Sequence, residues 1–179
     1  MDNDTLLGKA PIPRAVAAMA IPSVISSLVT VVYNMADTFF VGQTGDALQV
    51  AAVSLTNPIF ILLMAFANMF GMGGSAMISV ALGENNHQSV KKISSFISWA
   101  SLVVGAAFAA VLLCFTAPIL HLFGADASTF EFARGYTVYI AFGAPFVIWS
   151  AAASFVVRAE GASKEAMIGS MIGTIANIV

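Results

Sequence analysis

A stripe of polar side chains runs through the first long apolar stretch of the chain. Its members follow one another at spacings of 4, 3, 4 and 3 residues, which places them on one helix face: Ser23, Ser27, Thr30, Asn34 and Asp37. This face is too polar for lipid, so it must look toward other helices or toward a water-filled cavity. Hydroxyl groups let membrane helices approach closely and bond each other. We therefore interpret the three hydroxyl residues mainly as a packing seam.

Asp37 could do chemistry that packing does not need. It follows Ala15 by 22 residues, about 33 Å of helix. A straight helix would leave Asp37 at the outer interface as a solvated acid, whereas a tilted one would bring it inside the membrane. A carboxyl group with restricted access to water can take and release a proton, or exchange the proton for Na⁺. We predict an ion-binding role for Asp37, with Na⁺ as the one metal ion considered.

A second polar pair lies in the next apolar stretch. Asn57 and Asn68 are 11 residues apart, close to three helical turns, and so share a face. Pro58 removes a backbone donor and favours a kink or break there. The carbonyl groups left over can bond a buried amide or a passing substrate. Both interpretations stay open, namely bonding to neighbouring helices and contact with substrate.

The composition limits what kind of protein can position these residues. The chain has 179 residues, of which 59% are hydrophobic and 9% charged, against about 25% charged in a soluble domain. The mean hydropathy of +0.92 excludes a soluble protein. The net charge of −2 indicates no nucleic-acid partner. No nucleophile and base pair, phosphate-binding loop or metal cluster is evident, so we expect neither an enzyme nor a cofactor.

Long apolar runs predict an all-α integral membrane protein. A spanning helix needs about 20 mostly apolar residues, and four runs suffice: Ala15–Val41, Leu48–Leu82, Ile93–Ala117 and Phe132–Val157. The second is long enough to be tilted or bent, with the bend at Gly71–Gly74. A fifth run opens near Ala166 and offers 14 residues, about 21 Å of helix. It is either a half-span or, as we prefer, the start of a span in a longer protein.

Basic residues predict the orientation. Six of the seven lie in the N-terminal tail or in the loops after the second and fourth runs, which share one side: Lys9, Arg14, Lys91, Lys92, Arg158 and Lys164. Only Arg134 belongs to the other side. The positive-inside rule then places residues 1–14 as a tail in the cytoplasm and residues 15–179 in the plasma (cell inner) membrane. The loops Gly42–Ala47 and Pro118–Glu131 are expected outside.

His87 and His121 fall in loops on opposite sides and cannot share a metal.

Small residues recur at helical spacing in the later runs. Ser94, Ser98, Ser101 and Gly105 repeat the 4, 3, 4 pattern and are interpreted as packing. Gly169 and Gly173 form a GxxxG pair, which alone is a weak signal. The segment Gly143–Pro145 is a predicted hinge.

Several motifs, in matching order and spacing, resemble the opening half of multidrug and toxic compound extrusion (MATE) transporters. The resemblance covers essentially the whole chain and rests on Ile21-Pro22, Tyr33–Gly42 (YNMADTFFVG), Ala51–Ile59 (AAVSLTNPI), Gly71–Gly74, Arg158–Gly161 (RAEG) and Ile175–Val179 (IANIV). It implies a transporter of twelve helices in two six-helix lobes. Such a transporter exports amphipathic, often cationic compounds in exchange for H⁺ or Na⁺. The chain would supply about five transmembrane helices of the first lobe, the fifth incomplete.

The resemblance also assigns roles to residues. Asp37 matches the first-helix acid used in cation coupling, and Asn177 matches a fifth-helix Asn that works beside it. With Asn34, on the same face as Asp37, they form the predicted ion-coupling group. Thr30, Tyr33, Asn57 and Asn68 are the predicted substrate-cavity residues. Besides the bilayer and the substrates, the expected partner is the missing C-terminal half of the same chain.

The sequence leaves two other functions as alternatives. A lipid-linked oligosaccharide flippase of the same superfamily would need basic residues in its cavity for pyrophosphate, and the spans hold none apart from end residues. A small structural membrane protein, complete at this length, is the third hypothesis. The length of the intact gene discriminates it from the first two.

Overall fold

The structure, a computed structural model, describes residues 11–43 and 47–178 of the chain. The side chains of several residues in the first, second and last helices are outside this description. The regular structure of the described residues consists of six helices: α1 Ile12–Gln43, α2 Ala47–Gly83, α3 His87–Cys114, α4 Thr116–Leu122, α5 Phe130–Ala159 and α6 Ser163–Ile178. The predicted all-α fold class is confirmed.

The four long helices correspond to the predicted spans, although α3 begins six residues before the predicted Ile93. Each contains a segment long and apolar enough to cross a bilayer: Ala15–Tyr33, Val50–Gly83, His87–Cys114 and Phe130–Ala159. Large apolar side chains cover the outside of the bundle, among them Trp99 at 71% exposure and Phe142 at 67%. Lipid rather than water suits such a surface, because soluble proteins rarely expose large apolar patches.

The predicted end of the third run is wrong. The run was expected to continue to Ala117, but α3 ends at Cys114 and a separate helix, α4, occupies part of the expected outer loop. The backbone turns at Phe115, with φ −117° and ψ 25°. The Thr116 hydroxyl donates to the Leu112 carbonyl oxygen at 2.5 Å, and so occupies a backbone acceptor in the last turn of α3. Both sides of the break are apolar, so hydropathy alone does not reveal it.

Helices α2, α3 and α5 pack together as the core. Gly71 and Gly74 of α2 lie directly against the side chains of Phe155 and Ile97, which a Cβ at either position would overlap. At Gly105 of α3 a Cβ would lie 2.5 Å from the Cα of Pro145. Small residues at these crossings let the helices approach closely, which is how membrane helices gain packing energy.

The serine stripe of α3 belongs to this core, which confirms its interpretation as packing. Ser101 is fully buried, and the Ser94 hydroxyl donates to Oε1 of Glu160 at 3.3 Å.

The predicted bend and hinge positions are also packing positions, and α2 and α5 run through them as single helices. Because α2 continues through Pro58 as well, the break is not formed there, and the kink, the other expected alternative, stays a prediction.

Asp126 organises the connection between α4 and α5. Its Oδ1 accepts hydrogen bonds from the hydroxyl and backbone N–H of Ser128, at 2.7 and 3.1 Å. It also accepts from the hydroxyl and backbone N–H of Thr129, at 2.8 and 2.9 Å. These bonds, the Ser128 hydroxyl first, lower the pKa of Asp126 from 3.8 to about 2, because they favour the ionised form.

Gly105→Ala is expected to lower the free energy of unfolding of the intact gene product by about 1–3 kcal/mol, since the new methyl group must displace the Pro145 backbone. Gly73→Ala is the matched control, because nothing lies within 4 Å of a Cβ at that position. Thermal unfolding in detergent measures both. Equal effects of the two substitutions would contradict the proposed close crossing of α3 and α5.

Asp126→Ala is expected to destabilise the protein in a pH-dependent way. The folded pKa of about 2 lies below the ordinary 3.8. The stabilisation is therefore fully present above the ordinary pKa and is lost as the pH falls toward the folded value. The difference in unfolding temperature between wild type and variant should be constant from pH 7 to about 5 and should shrink below pH 4. A difference in unfolding temperature that does not change with pH would show that the hydrogen bonds from Ser128 and Thr129 do not depend on the ionised form of Asp126.

Candidate functional site

Helices α1 and α6, which carry the predicted ion-coupling residues, pack against each other. Their polar contact joins the Oγ atoms of Ser26 and Ser170 at 2.7 Å. The Ser170 hydroxyl already donates to the Met167 carbonyl oxygen at 2.8 Å. A hydroxyl has one proton to donate, so Ser26 is the donor between the helices. Ser26 is 5% exposed, and this buried bond fixes the relative register of the two helices.

The register places the predicted ion-coupling positions at similar depths. Successive spans cross a membrane in alternate directions, so α1 and α6, the first and fifth, run parallel. Position 34 lies 8 residues beyond Ser26, and position 177 lies 7 residues beyond Ser170, or about 12 and 10 Å along the two helices. Position 37 is about one turn further. The side chains of Asn34, Asp37 and Asn177 lie outside the described residues, so their grouping stays a prediction.

The hydroxyl residues of the polar stripe do not form the expected packing seam within this chain. Ser27 and Thr30 are exposed and Ser23 is half-buried. The hydroxyls of Ser23 and Thr30 donate to carbonyl oxygens one turn back, those of Met19 and Ser26, at 2.9 and 3.0 Å. Such bonds satisfy a hydroxyl without a neighbouring helix. Ser27 and Thr30 pack on no neighbouring helix within the described part of the chain, so the packing interpretation stays a prediction for these two residues.

Ser26 is the residue that the sequence interpretation missed. It lies on the adjacent face, in line with the buried Pro22 and the half-buried Val29 and Tyr33. The spacing of 4, 3 and 4 residues was visible in the sequence. That face carries only one hydroxyl residue apart from the tyrosine, however, and the neighbouring stripe with its Asp and Asn gave the stronger signal.

The predicted substrate-cavity residues fall into two groups. Thr30 and Tyr33 lie on α1, which packs chiefly on α6, whereas Asn57 and Asn68 lie on α2, which packs on α3 and α5. Thr30, Asn57 and Asn68 are exposed. Tyr33 is half-buried and makes an interaction within the chain. The side chains of Thr30, Asn57 and Asn68 are therefore accessible to a cavity. The structure does not bring the two residues of α1 together with the two residues of α2.

A cleft of about 540 Å³ separates α5 from α6. Its polar wall includes Ser150, Ser154 and Ser170, and its apolar wall includes Trp149. Gly169 and Gly173 also line it, and a Cβ on either would meet nothing within 4 Å. The GxxxG pair thus makes no close helix crossing within this chain. The space beside it has the size and the mixed lining of a site for a small amphipathic molecule.

Neither histidine lies in a loop, contrary to expectation. His87 is the first residue of α3, and His121 lies in α4 with its ring stacked on Phe130 at 5.1 Å. Among the side chains that the structure describes, which do not include that of Asp37, no three from His, Cys, Asp or Glu are close enough to hold a metal ion.

The chain matches the MatE family over residues 22–179. It is 33% identical to the multidrug export protein MepA of Staphylococcus saprophyticus over 96% of its own length and 38% of the relative. It is 32% identical to MepA of Staphylococcus aureus, with the same coverage. A solved structure, the outward-facing conformation of a multidrug resistance MATE family transporter of the MOP superfamily, superimposes with a TM-score of 0.92 at 25% identity. It covers 99% of this chain and 39% of that one. The chain thus spans about two fifths of the length of these proteins.

Ser26→Ala is expected to weaken the contact between α1 and α6. The loss should be about 0.6 kcal/mol, a typical value for a hydrogen bond between membrane helices. The control is Ser27→Ala, one residue further on the exposed face, which should change the unfolding free energy little. Equilibrium unfolding of the intact gene product in detergent compares the two. A larger loss for Ser27→Ala would show that the polar stripe, and not Ser26, holds α1.

Proposed function

The chain belongs to the MatE family, and from this membership we propose that it forms the first lobe of an antiporter that exports amphipathic, often cationic compounds in exchange for H⁺ or Na⁺. The observation that carries the proposal is the agreement of sequence and fold, along nearly the whole chain, with proteins named multidrug exporters. A second lobe, supplied by the same chain beyond Val179, would complete the transport path. Such a protein is neither an enzyme nor dependent on an organic cofactor.

The chain is part of a multi-pass membrane protein. For its orientation in the plasma membrane we propose a cytoplasmic N-terminus. The described basic side chains support this: Lys91, Lys92, Arg158 and Lys164 flank the two loops at one end of the bundle, and Arg134 alone lies at the other. The bias follows the positive-inside rule.

We propose that Asp37 binds the coupling ion, with Asn34 and Asn177 beside it. The packing of α1 on α6 supports this assignment, because the contact between Ser26 and Ser170 sets positions 34 and 177 at similar depths. An ion at Asp37 shifts the equilibrium between inward-open and outward-open states only if its affinity differs between them. Since α1 packs chiefly on α6 and not on the core, this helix pair is the element that ion binding can move.

The substrate cavity is proposed to lie along the exposed polar positions of α1 and α2. Thr30, Asn57 and Asn68 offer neutral hydrogen-bonding groups among apolar neighbours, and Tyr33 adds an aromatic ring. A cavity of this kind suits amphipathic molecules of varied shape.

The flippase hypothesis is less well supported. In the described part of the chain the basic side chains lie in the first two turns or in the last turn of a helix, whereas recognition of pyrophosphate requires cations facing the cavity. A small structural protein is also disfavoured, because the relatives that match are more than twice as long.

Asp37→Asn is expected to reduce gradient-driven efflux about 5- to 150-fold, the usual range for coupling between two sites. The intact gene product is reconstituted in vesicles, and ethidium efflux is followed under an imposed pH or Na⁺ gradient. Glu131→Gln is the control, because Glu131 is an exposed acid whose only described ion pair is with Arg134, at 4.0 Å. Coupled efflux at the wild-type rate in Asp37→Asn would overturn the assignment.

A further inference from the structure

A second cleft lies at the end of the bundle where α4 connects to α5. It has a volume of about 460 Å³ and is formed by the first turns of α2 and by the segment that follows α4. Its walls include Ser54 and Pro58 of α2, together with Phe123, Asp126 and Thr129. The volume falls in the range of sites for small organic molecules. None of the described residues assigned to the proposed substrate cavity lines this cleft.

Asp126 gives the cleft a fixed negative charge. Among the described residues that line the cleft, it is the one that carries a charge. All four hydrogen bonds from Ser128 and Thr129 go to its Oδ1, so Oδ2 can meet an incoming group. The described charges that follow it in the sequence, Glu131 and Arg134, lie 4.0 Å apart and offset each other. The charge of Asp126 is therefore unbalanced by any described neighbour.

Two further features of the walls favour a cation. Pro58 has no N–H to donate to the carbonyl of Ser54, one turn earlier, so that carbonyl lacks its regular helical partner. Both residues line the cleft, and a carbonyl oxygen carries partial negative charge. Phe123 contributes an aromatic side chain, whose ring faces attract cations and whose surface suits apolar groups. The residues that line the cleft thus include one with a carboxylate, one with a carbonyl that lacks its helical partner and one with an aromatic ring.

We propose that this cleft is a peripheral binding site for amphipathic organic cations, in which Asp126 supplies the charge and Phe123 the apolar contact. This inference depends on the proposed function in one respect only, namely that amphipathic cations are the expected class of substrate. The described residues that line it belong to α2 and to the segment that follows α4, and none of them belongs to α1 or α6. A compound held there would be at the end of the lobe away from the basic loops, where an exported molecule leaves or a competing one arrives.

Cysteine protection tests the site directly. In the intact gene product with Cys114→Ala, Ser54→Cys places a reporter thiol in the cleft wall, and Ala51→Cys gives a second one. The rate of labelling by a small methanethiosulfonate reagent is measured with increasing tetraphenylphosphonium. The concentration that gives half-protection reports the affinity of this site alone. Ser79→Cys, on the exposed face of α2 near its other end, is the control and should not be protected.

The expected result is protection of both reporters that depends on Asp126. Asp126→Asn keeps a side-chain oxygen for the turn but removes the charge. It should raise the half-protection concentration about two- to fivefold, the size expected for one solvent-exposed charge pair. High salt should reduce this effect. Phe123→Leu should also weaken protection, without the dependence on salt.

Three results would overturn the proposal. They are no protection of either reporter at millimolar tetraphenylphosphonium, equal protection of Ser79→Cys, and identical half-protection in Asp126→Asn and wild type. Ethidium efflux of the same preparations is measured in parallel. Efflux that is coupled in wild type while protection is absent would reject the peripheral site alone. Protection without coupled efflux would reject the proposed antiport and leave the site standing.

Discussion

The absence of water in the bilayer core is the constraint on which the rest of this structure depends. A polar group there must find its partner inside the protein. The backbone meets this requirement by being helical in every long segment that is described. Side-chain hydroxyls meet it by donating to carbonyl oxygens of their own helix, as Ser23, Thr30 and Thr137 do at 2.8 to 3.0 Å. An ionised carboxyl group cannot donate a hydrogen bond to a carbonyl oxygen of its own helix. Asp37 therefore differs from the hydroxyl residues on its helix.

The same constraint shapes how the helices pack. Lipid is as apolar as the helix surfaces, so close contact and not hydrophobic burial must hold the bundle together. Glycine provides that contact at the crossings of α2, α3 and α5, most clearly where Gly105 meets the Pro145 backbone. Outside this core, α1 packs chiefly on α6, joined by the bond from Ser26 to Ser170. The arrangement combines a tightly packed frame with a helix pair that carries the proposed coupling residues.

Much of the fold could be predicted from the sequence, and the reasons for the failures are physical. Hydropathy located α1, α2 and α5 to within a few residues, because a span is long and its burial in lipid is uniform. It could not separate α3 from α4, since the break at Phe115 has apolar residues on both sides. The choice between Ser26 and Ser27 as the packing residue depends on where α6 lies, which no local pattern contains. Asp37 was selected as a candidate because it is an isolated charge in an apolar stretch. Asp126 lies in a loop with other polar residues, so its sequence context did not mark it as a candidate.

Ion release on substrate binding is the most direct test of the central claim, that this lobe couples cation export to an ion held at Asp37. Tetraphenylphosphonium is added to the purified intact gene product in weak buffer, with and without Na⁺, and the released protons or Na⁺ are counted. If Asp37 holds the coupling ion, we expect release from the wild-type protein and none from Asp37→Asn. Equal release from both proteins, or substrate binding without any ion release from the wild type, would contradict it.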